Sequence, residues 1–339
     1  MSLWTAHTSA PNGPSAPLEP SGKGEGGFDI FGAAEDKEFG VLVSFHYFKN
    51  KKLIPLMESL PVRPTVFTDS GGFSAHSQGA SVDIDSYCSW LRRNMKVIDH
   101  YANLDVIGDW RGTLKNQLIM ERRGFRPLPV LHYGTKPSEI RRYARHGFKY
   151  MCLGGLVPYA FQLTQALSSI RNNKPPPKSG LKIVKWIDEC HSIANEEGVV
   201  LHGFGVTNWR AVTRYRWSSV DSSSWISGAK FGTLILFDPG IGQWVKGGRR
   251  TKFSDMMRIS PLLREYGLPV SHLACDTKFS TENMIRATAR SWLVAQRHLQ
   301  RARSHTTRIF LAMINPEQVQ MVFANAAQHA SHGVDEWTS

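Results

Sequence analysis

Along most of the chain, short apolar runs alternate with longer stretches of helical periodicity. The apolar runs are too short for core helices and read as buried strands: residues 40–47, 65–67, 104–109, 128–132, 150–153, 199–203, 219–221 and 232–237. Between them, Asp83 can cap a helix that carries Tyr87, Trp90, Leu91 and Met95 on one face. Residues 114–123 form a helix stopped by Gly124, and Ser138 caps one that ends at Gly147. The amphipathic stretch 181–197 is closed by Gly198, and 209–216 is a short helix. Strands that alternate with helices pair in parallel, and eight such units close on themselves. The predicted fold class is therefore α/β, a (β/α)8 TIM barrel. A doubly wound sheet lacks support, because no glycine-rich dinucleotide turn follows the first strand.

Outside this alternation the pattern changes. Residues 1–36 are rich in Pro, Gly and Ser without apolar periodicity, and are expected to be a disordered N-terminal arm. The barrel domain is expected over 37–315, with an insertion at about 240–267 after the eighth strand. That insertion holds a basic knot of Lys246, Arg249, Arg250 and Lys252. Thr281 starts a long helix bearing Arg286, Arg290, Arg297, Arg301 and Arg303. Asn315-Pro316-Glu317 opens a last helix, so 316–339 reads as a C-terminal helix and tail. No apolar run is long enough to span a bilayer, and the start has no signal-peptide pattern.

The 339 residues are 41% hydrophobic, enough for a sizeable core. The formal net charge of +13 favours a polyanionic partner, since phosphates gather Lys and Arg and release counterions on binding. Cys88, Cys152, Cys190 and Cys275 are scattered, with no CxxC pair. This spacing fits a reducing cytoplasm and argues against a cysteine-rich zinc site.

In a barrel, the C-terminal strand ends converge on one mouth. Those ends carry Asp69, Asp109, His132, Gly154, Gly155 and Asp221. In Thr68-Asp69-Ser70-Gly71-Gly72-Phe73, an acid followed by two glycines allows a sharp turn and a close approach to a flat ligand. The same hexapeptide also suits an ordinary strand-to-helix turn. Asp109 is equally placed to cap the helix after it, and Asp221 to cap a turn through Ser222 and Ser223. Asp105, Asp238 and His202 read as structural.

Asp69-Ser70-Gly71-Gly72-Phe73 resembles the DSGGF signature of the tRNA-guanine transglycosylases. Leu153-Gly154-Gly155-Leu156 is similar to that family's GGL loop. His202-Gly203-Phe204-Gly205-Val206-Thr207-Asn208, a short helix and then Ser219-Val220-Asp221-Ser222 resemble its run from a GVG turn to the nucleophilic aspartate. The three matches are collinear and span residues 39 to 239. The resemblance implies base exchange through a covalent aspartyl–nucleic acid intermediate, with Asp221 as nucleophile and Asp69 as acid/base partner. It implies that Asp109 binds the amino-pyrimidinone edge of the base, beside backbone groups of Gly154 and Gly155. Ser70, Gly71, Phe73, His132 and Leu156 would complete the base site, with no cofactor and no metal.

The departures are informative. His132 and Ser74 stand where the family has Gln, and its clustered CxCxxC zinc motif is absent. The chain looks more like the DpdA-type, DNA-directed branch found in phages and bacteria. The implied partners are DNA and a free 7-deazaguanine base such as preQ0, in the cytoplasm of a bacterial host cell if the protein is phage-encoded. The same exchange on tRNA is the alternative, and a barrel hydrolase or a non-catalytic nucleic-acid-binding protein is the second. The dispersal of His46, His132 and His202 speaks against a metal hydrolase. Lys246, Arg249, Arg250 and Lys252 are expected to hold phosphates, and Phe73, Tyr133, Tyr159, Trp209 and Trp225 to stack on an extruded base.

Overall fold

The computed structural model describes residues 40–274, 277–303 and 307–323. The N-terminal arm expected over 1–36 and most of the C-terminal tail lie outside these residues. Among the described residues ten strands are formed: β1 (Gly40–Ser44), β2 (Thr65–Asp69), β3 (His100–Tyr101), β4 (Val130–His132), β5 (Tyr150–Gly154), β6 (Val200–Gly203), β7 (Ser219–Ser222), β8 (Thr233–Asp238), β9 (Gln243–Gly248) and β10 (Arg308–Met313). Eight belong to one sheet, in the order β3-β2-β1-β10-β7-β6-β5-β4, and every pairing is parallel.

The sheet is strongly curled. Phe67 on β2 lies 4.6 Å, ring to ring, from His202 on β6, although three strands separate β2 from β6 in the sheet. His100 on β3 meets Tyr150 on β5 at 5.4 Å. An inner cluster of Leu42, Phe67, Val130, Cys152 and Phe310 fills the concave side. The larger core lies between the sheet and the surrounding helices. The short chain segments beyond β3 and before β4 meet in a parallel bridge between Ala102 and Leu128, with Asn103 N–H donating to Leu128 O at 3.1 Å.

Two predicted strands are corrected. The apolar run 232–237 does not take the eighth position: it forms β8, which pairs antiparallel with β9 in a separate hairpin. β10 fills that position, between β1 and β7, and so the insertion precedes the eighth strand instead of following it. A short apolar run signals burial without naming its partner, and Ile309–Met313 is as apolar as the run that precedes it. The stretch 104–109 is not a strand either. Its backbone is held by side chains, with Val106 N–H donating to Thr113 Oγ1 and Asn116 Nδ2 donating to Leu104 O, so no ladder forms. His46 and Tyr47 fall in the helix Phe45–Phe48 and not in β1.

The helix Ile84–Asn94 is capped as expected, by Asp83 accepting from Ser86 N–H at 2.8 Å. In the long helix Lys278–Arg303, the arginines are not a uniform solvated stripe: Arg290 is half-buried and donates to Tyr266 O. Among the described residues no helix is long and apolar enough to cross a membrane.

Candidate active site

At the C-terminal ends of the strands a cavity of about 270 Å³ opens, lined among others by Asp69, Asp105, Gly154, Gly155 and Asp221. Asp69 ends β2 in register with Ser44 of β1. The chain then turns through Gly71 at φ +70°, where a Cβ would come within 2.3 Å of Ser44 Oγ. The helix Gly72–Ser77 starts there and sets Phe73, 43% exposed, at the rim.

The Oδ1 of Asp69 is buried and has no hydrogen-bond partner among the described residues. Burial, reinforced by the nearby carboxylates of Asp105 and Asp221, pushes its pKa up to about 7. The Ser44 hydroxyl and the Gly71 amide oppose that shift. A carboxyl group in this state can give or take a proton at neutral pH.

Asp221, on β7, is held differently. Its Oδ1 accepts a 2.7 Å hydrogen bond from Gly205 N–H, and His202 Nε2 lies 3.4 Å from the same oxygen. Gly205 itself turns at φ +64°, following the β6 strand end.

The third carboxylate in the cavity is Asp105, in place of the structural role its sequence position suggests. Ser70 Oγ donates to its Oδ1 at 2.9 Å, and His132 Nε2 lies 3.0 Å from its Oδ2. Ser70 and His132 are both buried, so both act on the cavity through Asp105. Asp109 is corrected: it is exposed, caps the helix Trp110–Arg122 by accepting from Arg111 N–H, and does not join the other acids. Only its capping role was realised, because the strand ends at Tyr101 and carries Asp105, not Asp109, into the mouth.

Gly154 and Gly155 line the cavity, with Gly155 at φ +70°. A Cβ on Gly154 would press on the His132 ring at 3.0 Å. Leu156 does not reach the cavity; its side chain is buried in the main core. Trp225 is also unavailable for stacking, being fully buried with its indole N–H donating to Ala312 O. Trp209 packs against Phe237 and Trp244, while Tyr133 and Tyr159 pack on each other at 5.0 Å.

The basic knot is part of a hairpin. Lys246 lies on β9, and Lys246, Arg250 and Lys252 are exposed. Arg249 is half-buried: its guanidinium donates to Thr281 Oγ1 at 2.9 Å, and its stem packs over Gly232. Among the described residues no group of three or more His, Cys, Asp or Glu could hold a metal ion. No protein-family model matches the chain, and no curated protein matches it.

Proposed function

We propose that the protein is a base-exchange transglycosylase that replaces guanine in DNA with a 7-deazaguanine, and that its curled sheet is a closed (β/α)8 barrel. The Ala102–Leu128 bridge between the two sheet edges supports closure. The observation that carries the activity is the pairing of two unlike carboxyl groups in one cavity. Asp69 titrates near neutrality with an unpartnered buried oxygen, while Asp221 has one oxygen fixed by a backbone amide. Environments that separate two acids in this way assign them separate roles.

In this reading the free Oδ2 of Asp221 attacks the sugar C1′ as the bond to the guanine nitrogen breaks. The proton on Asp69 passes to the departing base, which leaves neutral. The incoming 7-deazaguanine then gives a proton to Asp69, and its nitrogen displaces Asp221 from C1′. Asp105 takes the place first assigned to Asp109. Its acceptor oxygens suit the ring N–H and exocyclic amine of such a base, and Ser70 and His132 hold it in position. Gly154 and Gly155 leave room for the flat base, and Phe73 stands at the rim to stack on it. The target base must first leave its duplex stack, at a cost of a few kcal/mol.

Incubation with labelled preQ0 and either duplex DNA or tRNA tests the reading. Label is expected in DNA, with a protein–DNA adduct that the native protein forms and Asp221→Ala does not. Label in tRNA alone would move the activity to that polymer. Turnover by Asp221→Ala would remove the nucleophile assignment.

A further inference from the structure

Beneath the cavity, inside the curled sheet, a chain of polar groups, half-buried at Tyr150 and buried at Ser219 and His202, leads to Asp221. The hydroxyl of Tyr150 on β5 lies 2.5 Å from Ser219 Oγ on β7. Ser219 Oγ lies 2.6 Å from Nδ1 of His202 on β6, and His202 Nε2 faces Asp221 Oδ1. The imidazole sits among Phe67, Phe204 and Phe310 with no exposed side-chain surface. The exchange chemistry described above uses none of these three groups.

We infer that Tyr150 and Ser219 fix His202 as its Nε2–H tautomer, and that this N–H holds Oδ1 of Asp221 so that Oδ2 is the oxygen presented to the substrate. The polarity of the chain follows from what each group can give. Were Nδ1 to carry the proton, Nε2 would turn a lone pair toward the carboxylate, a repulsive contact in a surrounding of aromatic rings. The other order gives each group a neighbour of the matching kind. Tyr150 O–H donates to Ser219 Oγ, Ser219 O–H donates to Nδ1, and Nε2–H is left for Asp221. Burial also favours the neutral ring, lowering the His202 pKa although Asp221 pulls it upward. Gly205 N–H already donates to Oδ1 of Asp221, and His202 Nε2, a buried nitrogen with no hydrogen bond formed among the described residues, faces it. The 3.4 Å contact is not yet a hydrogen bond, and the inference requires it to close into one when the site tightens on substrate.

His202, Ser219 and Tyr150 are thus positioning residues, and their role rests on Asp221 being the nucleophile. Nitrogen-15 NMR of the imidazole in the full chain reads the tautomer directly. The native protein is expected to show Nε2–H at neutral pH, and Ser219→Ala a mixture of tautomers. His202→Phe keeps a ring in the aromatic cage and removes the N–H. It is expected to lower kcat for base exchange about 10- to 100-fold, the scale on which orienting partners act, with KM for DNA unchanged. Ser219→Ala should fall between that variant and the native protein, while Tyr150→Phe tests the far end of the chain with little change of shape. A protonated imidazole or an Nδ1–H tautomer in the native protein would overturn the inference. So would the expected tautomer together with undiminished kcat in His202→Phe and Ser219→Ala. If the native protein exchanges no base with either polymer, the reading of the reaction fails, and the tautomer measurement alone decides whether the chain exists.

Discussion

Asp69 carries the most pronounced electrostatic feature of the site, and its consequences have a definite sign. A carboxyl group whose pKa rises on folding from 3.8 to about 7 is held in its neutral form by the fold. Its contribution to stability is fully present below pH 3.8 and is lost as pH rises through about 7. Asp69→Asn mimics the neutral form, so it should stabilise the protein above neutrality by at most about 4 kcal/mol, with the gain shrinking as the pH falls. Urea denaturation of both proteins between about pH 5 and pH 8 measures that convergence. A gain that does not depend on pH would mean that Asp69 is ionised in the fold. If Asp69 also supplies the proton to the leaving base, exchange by the native protein should decline above about pH 7, and Asp69→Asn should not turn over. At this scale the sequence was partly readable. Asp69 and Asp221 could be picked out because each ends an apolar run beside glycines or serines. Asp105 could not, because its place depends on β3 ending at Tyr101, two short residues that leave no periodicity to read. His202 was hidden for a related reason: a histidine within an apolar strand looks the same whether it fills space or faces a carboxylate.

Elements were legible where the chain punctuates itself. Asp83 before the helix Ile84–Asn94 and the glycines 124 and 147 after their helices mark boundaries that the structure keeps. The turn after β2 is the element on which the cavity most depends, and its glycine has two separate reasons to be there. Gly71 sits at φ +70°, and a Cβ on it would meet Ser44 Oγ at 2.3 Å and His46 Cβ at 2.4 Å. Gly79, in the next turn, has φ +69° with nothing within 4 Å of the same position. Gly79→Ala should therefore cost only the left-handed strain, about 1–2 kcal/mol. Gly71→Ala should cost roughly 1–3 kcal/mol more through the clash, and should displace Asp69 as well. Calorimetric melting of the two variants isolates the difference, and equal melting temperatures would show that the Ser44 and His46 contacts yield freely. What failed at this scale was strand partnership. β8 and β10 are both short apolar runs; the helices Phe253–Glu265 and Lys278–Arg303 lie between them in the chain, and the second packs on both strands. β10 then enters the sheet between β1 and β7, a long-range outcome with no local signature.

For the whole molecule, the excess of 41 Lys and Arg over 28 Asp and Glu is the feature that a polyanion would meet first. The sequence placed the key cations in one flexible knot of four, whereas the hairpin sorts them. Arg249 is tied to Thr281 and packed over Gly232, and so serves the fold. Lys246, Arg250 and Lys252 remain exposed on β9 and the turn after it. Phosphate contacts give affinity without sequence preference, and each one neutralised releases counterions on binding. Replacing Lys246, Arg250 and Lys252 together by Gln should weaken DNA binding to a similar degree for all sequences. It should also flatten the dependence of log Kd on log salt by roughly two to three units, about one per contact. Arg249→Gln should instead lower the melting temperature and leave the salt slope close to that of the native protein. Fluorescence anisotropy of a labelled duplex across a salt series, with melting curves of each variant, separates the two effects. If the triple variant keeps the native slope, the hairpin does not hold the backbone. The basic cleft lined by Arg171, Arg210, Arg214 and His298 is then the place where the same substitutions should change it, with Arg171 the first to replace because Arg214 already pairs with Asp188.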